Sequence, residues 1–123
     1  MAKTTPIRWL EEPEEQDYPA ALSYLTLLFE PKAAAKYVKK LRAARVERFK
    51  AKDIFRASTL SLLGVSNSHV EHDRQKIRAR KPLSPLLLVR HTDGGKVIVA
   101  DGYHRLCAVY SFDEDAIIPC KIV

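Results

Sequence analysis

Residues 99–108 read VADGYHRLCA, and this stretch decides how the rest of the chain is read. Val99 and Ala100 suit the end of a strand, Asp101-Gly102 turns the chain, and Tyr103 onward has the composition of a helix. A strand that passes through glycine into a helix leaves backbone N–H groups at the helix N-terminus, which attract anions. Gly102 has no side chain to keep a phosphate from the backbone, while His104 and Arg105 place one tunable and one permanent cation beside it. A bland role exists for each residue. Arg105 can pair with a carboxylate, Asp101 can serve as turn residue and helix cap, and Tyr103 can either stack on a base or pack against the loop at 60–65.

Working outward, Leu86–Arg90 is apolar until its last residue, which suits a strand buried on both faces. His91–Gly95 (HTDGG) is a turn and Lys96–Ala100 a second strand, so 86–100 is expected to be a β-hairpin. The helix after Gly102 is placed at Tyr103–Tyr110. A last strand is placed at Ile117–Val123, where Pro119 implies a late start or a position near an edge. Upstream, Ser66 or Asn67 can cap a helix running to Ala79. On it His69, His72 and Lys76 share one face, with Val70 and Ile77 on a neighbouring face that can anchor the helix. Val46 and Phe49 suit a short strand, Asp53 a capped helical turn, and Ser58–Asn67 a loop punctuated by Gly64.

The first 45 residues have a different texture. Residues 11–17 (EEPEEQD) hold five acids and no base, forming an acidic arm over 1–17. Apolar positions at Tyr18, Ala21, Leu22, Leu25, Leu28 and Phe29 predict a helix over 18–29, with Asp17 as its N-cap. Pro31 ends it and opens a second helix over 32–45, whose apolar face carries Ala34, Tyr37, Val38 and Leu41. The two are expected to form a helical hairpin (18–45) packed on an α/β module (46–123), in one globular domain. The fold class is therefore α/β (α+β): a small mixed sheet with an added N-terminal helical hairpin.

The whole chain has 123 residues and a net charge of +6, with ten bases and two acids between Lys32 and Arg56 and five bases and no acid in 74–81. Such a balance fits an anionic partner without naming it. The longest strongly apolar run is Leu86–Val89, which excludes a helical membrane span, and the glutamate-rich N-terminus has no apolar core of a secretory leader. Two cysteines, Cys107 and Cys120, fit neither a disulfide framework nor a zinc cluster and read as inert core thiols. A cytoplasmic protein is expected.

Residues 67–123 resemble the ParB/sulfiredoxin-like superfamily. The shared order is a capped helix with a basic end, a strand from Pro85-Leu-Leu-Leu-Val89, a glycine turn, a strand, a G-x-H-R-x-x-A helix and a late strand ending in I-P-C-K-I-V. The resemblance implies that the strand-to-helix turn holds nucleotide phosphates through Gly102, Tyr103, His104 and Arg105, with His69, His72 and Lys76 facing them across the site. It excludes sulfiredoxin chemistry, because the cysteine of that family's G-C-H-R motif is Tyr103 here and a phenol cannot replace the attacking thiolate. A ParB clamp is not expected either, since no helix-turn-helix follows the module. An enzymatic version would be NTP hydrolysis or phosphoryl transfer, with Arg105 and Lys76 on phosphate charge and Asp101 or His104 as acid–base or magnesium partner. No tightly bound cofactor and no protein-only metal site are expected, although magnesium can arrive with a nucleoside triphosphate. The competing reading is a non-enzymatic module that contacts DNA backbone or a protein through the basic surface of 32–56 and 74–81.

Overall fold

The computed structural model describes residues 7–61, 67–91 and 95–123. Its elements are α1 (Asp17–Leu25), α2 (Pro31–Ala43), β1 (Glu47–Lys50), α3 (Ala51–Ser58), α4 (Ser68–Arg78), β2 (Leu86–His91), β3 (Lys96–Asp101), α5 (Tyr103–Phe112) and β4 (Ile117–Ile122). The strands form one mixed sheet in the order β1-β4-β2-β3. β1 runs antiparallel to β4, β4 parallel to β2, and β2 antiparallel to β3. The class is α+β, as the residue pattern predicts.

The sheet is the middle of three layers. Alternate strand residues face opposite sides. Leu86, Leu88, Val99, Ile118, Cys120 and Ile122 join Ile54 of α3, Val70 and Ile77 of α4, and Leu106–Val109 of α5 in one core. Leu87, Val89, Ile98 and Ala100 join Tyr18, Ala21 and Leu25 of α1 and Ala34, Val38 and Leu41 of α2 in a second core on the other face. β2 is thus buried on both faces, which is why Leu86–Val89 has no polar alternation. Among the described residues, no helix is long and apolar enough to cross a membrane.

The hairpin of helices forms, but its first helix stops at Leu25 rather than at 29. Leu27 and Leu28 donate to the carbonyls three residues back, and the tightened turn carries Leu28 out to solvent while Phe29 returns to pack on Tyr37 at 4.9 Å. Leu25 and Leu41 are fully buried, Val38 is buried, and Leu22, Phe29 and Tyr37 are partly so. The acidic arm is part of the fold from Arg8 onward: Leu10 N–H donates to the Leu83 carbonyl and Leu83 N–H to the Arg8 carbonyl, each at 2.8 Å.

Several local expectations shift. Gln16 is the N-cap of α1 and Asp17 its first residue, so Asp17 keeps its carboxylate for tertiary contacts. Residues 51–58 are a full helix rather than a turn capped by Asp53, which instead pairs with Arg56 at 3.5 Å. α3 ends at Thr59, in the left-handed region at φ 56°. Gly64 and most of the 91–95 turn lie outside the described residues. β4 is an interior strand despite Pro119, but its ladder with β2 begins at Cys120, so Pro119 precedes that pairing. Asn67 caps α4 as expected, its Oδ1 accepting from the N–H groups of His69 and Val70.

Candidate anion-binding site at the α4–α5 face

The β3–α5 junction is built around Gly102 at φ 108°. A Cβ there would stand 2.7 Å from Leu86 Cγ and 2.9 Å from an Arg105 guanidinium nitrogen. The space above the glycine is thus filled by the protein's own side chains. Backbone conformation and close packing both demand glycine.

One register shift decides where Arg105 goes. β3 pairs in regular register with β2 up to Leu88↔Val99, then shifts so that Asp101 lies opposite Leu87 with Ala100 as the extra residue. A bulge re-aims the side chains that follow it. Leu87 belongs to the core under α1, and Asp101 meets Asp17 of α1 on that side. Between these two carboxylates sits the Arg105 guanidinium, 3.0 Å from Asp101 Oδ2 and 3.7 Å from Asp17 Oδ2. Ser84 Oγ donates to Asp17 and accepts from Glu14 N–H at 3.0 Å. The cluster is mostly buried, with Asp17 5% exposed. Two acids against one base leave an excess negative charge away from water. Burial first, and then the neighbouring Asp17, push Asp101 up to about 6, although Arg105 pulls the other way.

Arg105 is therefore occupied by carboxylates, and Asp101 neither caps α5 nor faces an open site; Gly102 is the N-cap, with no side-chain cap on the helix. Of the remaining candidate residues, His69, His104 and Tyr103 come together. α4 packs on α5, and the His69 and His104 rings lie 4.8 Å apart with a 39° tilt. His104 also lies 5.5 Å from the Tyr103 ring. Asp73, half-buried on α4, feels Arg105, Lys76, His72 and His104 together, yet burial dominates and raises its pKa. His104 is shifted down, first by burial and then by His69, although Asp73 pulls the other way. Tyr103 donates its hydroxyl to the Ser61 carbonyl, which fulfils the loop-packing alternative. Burial and Cys107 push its pKa up. His72 is exposed and Lys76 partly so, one turn apart on the same helix.

Asp17 and Ser84 are the site residues that motif reasoning did not assign. Asp17 and Ser84 reach Arg105 from distant parts of the chain and carry no local signal. The Asp101–Arg105 pair does carry one, the i, i+4 spacing of opposite charges. Among the described residues, no three His, Cys, Asp or Glu side chains come together as a ligand set for a metal. Asp101, the best-placed acid for a magnesium ion, does not fit that part, because the oxygen it would offer is bonded to Arg105 and the group is biased toward protonation. No family model, characterised protein or solved structure matches the chain.

Proposed function

We propose that the chain is a nucleotide-binding module of the ParB/sulfiredoxin-like type that holds phosphate where α4 meets the start of α5. The observation that carries this reading is the pairing of His69 and His104 beside an α5 N-terminus that has no side-chain cap. By contrast, Asn67 satisfies the corresponding groups of α4. An anion there would meet the N-terminal amides of α5 and the two imidazoles, with His72 and the Lys76 cation further along α4. Arg105 acts indirectly, holding the β3–α5 turn in shape through Asp101 and Asp17.

This division of labour favours binding over turnover. Asp101 is engaged with Arg105, and the residues present do not fit magnesium, so no hydrolytic or phosphoryl-transfer step is assigned. His104 instead gives binding a proton linkage. Burial lowers its pKa in the free protein, and a dianionic phosphate alongside would favour its protonated form. Affinity should therefore rise as pH falls, with net proton uptake. A cytoplasmic location suits a nucleotide ligand and the two buried thiols, Cys107 and Cys120.

Isothermal titration with nucleoside mono-, di- and triphosphates, repeated in buffers of different ionisation enthalpy, tests the reading. Saturable binding with proton uptake is expected, lost in His104→Ala but not in a variant of exposed Arg80. Binding that is indifferent to His104 and to His69 would refute it.

A further inference from the structure

α2 separates its residues sharply. At about 100° per residue, Ala34, Val38 and Leu41 fall on one side and are buried against the sheet. Lys32, Lys36, Lys39 and Lys40 fall on the opposite side and are all exposed. The chain then passes through exposed Arg45 into edge strand β1. There Phe49 packs into the core on the far face of the sheet, so the alternating residues Arg48 and Lys50 project on the same side as α2. Glu47, the one acid of this strand, shares the far face with Phe49.

None of these seven cations has an ion-pair partner among the described residues. The second basic run is different, because Arg74 and Arg78 both pair with Glu71. The acidic arm touches only the margin of the α2 face: Glu15 holds Arg42 at 2.5 Å, and Glu12 holds the buried Lys121 at 2.9 Å. Glu30, at the N-cap of α2, is a further carboxylate beside the face.

We infer that the α2–β1 face binds the phosphate backbone of double-stranded nucleic acid, independently of the α4–α5 site. Lys32 to Lys40 spans about 12 Å of helix axis. That length of duplex carries roughly seven phosphate charges. Five of the seven cations are lysines, flexible point charges suited to phosphates rather than to the planar, bidentate reading of base edges. An anionic membrane is the weaker match. Exposed Leu27 and Leu28 stand beside the α2 N-terminus, but the basic stripe runs away from them to the β1 edge, where Ile117, opposite Lys50, is a single exposed apolar side chain and not an apolar face.

Fluorescence anisotropy of a labelled random-sequence 24-base-pair duplex with the full chain tests this. Binding is expected at 50 mM salt, with a log–log salt slope of about −4 to −5 for roughly five phosphate contacts. Lys36→Glu/Lys39→Glu/Lys40→Glu should abolish it, and the milder Lys→Gln triple should weaken it at least tenfold, both with unchanged circular dichroism. Arg80→Glu/Lys81→Glu should bind like the parent. Absence of parental binding at 50 mM salt overturns the inference. So does parental affinity in the folded triple variants, or capture by phosphatidylserine vesicles without capture by duplex.

Discussion

At the scale of residues, Gly102 and Asp101 set the terms for the site. Gly102→Ala would force a Cβ into Leu86 and Arg105 at a φ that L residues rarely adopt. It should cost about 2–4 kcal/mol, read as a lower midpoint in urea unfolding. Asp101 makes a pH prediction whose sign is unusual for a carboxylate. Its folded-state pKa is raised to about 6 from the ordinary 3.8, so the folded protein binds more protons than the unfolded chain between those values. Stability from this group is therefore greatest below pH 4, falls as pH rises through 6, and is flat above, a loss on the order of a few kcal/mol. Asp101→Asn should flatten that decline in a series of chemical denaturations from pH 4 to 8, and an unchanged decline would show that another group causes it. The Asp101–Arg105 half of this arrangement was legible as an i, i+4 pair. The Asp17 half was not, because Asp17 also fits a helix-start signal, and only the bulge at Ala100 and the packing of α1 bring it to Arg105.

At the scale of elements, period and punctuation carry most of the information. The two apolar stripes, Pro31, the unbroken run of β2 and the Gly102 turn place α1, α2, β2, β3 and α5 within a few residues. What fails is the end of α1, since Leu28 and Phe29 continue the helical period in sequence while the chain must already turn toward Pro31. The rank of β4 within the sheet also escaped, because one proline cannot tell an edge strand from a strand whose neighbour begins one residue later. The helical hairpin shares the sheet's second core, so it should not melt as a separate unit. Leu41→Ala, at a fully buried position, should cost about 2–4 kcal/mol and lower a single cooperative transition seen alike by circular dichroism and Trp9 fluorescence. Asn67→Ala removes the cap of α4 and should cost about 1 kcal/mol.

At the scale of the whole molecule, the sheet separates a histidine-rich surface from a lysine-rich one. The α4–α5 layer presents His69, His104, His72 and Lys76 beside the glycine turn, and the α1–α2 layer turns its lysines outward on the other side. Between them, the cluster of Asp17, Arg105, Asp101 and Ser84 ties the N-terminal segment to the β3–α5 junction. Its guanidinium is committed, so Arg105→Ala should damage the fold before it informs on a ligand, leaving two buried carboxylates without their cation. Amide chemical shifts followed by NMR during titration with a nucleoside triphosphate, at pH 6.5 and moderate salt, test the central claim most directly. The account predicts saturable shifts concentrated at Gly102–Arg105 and at His69–Lys76, all lost in His104→Ala. Shifts confined to α2 and β1, or no shifts at millimolar nucleotide, would contradict it.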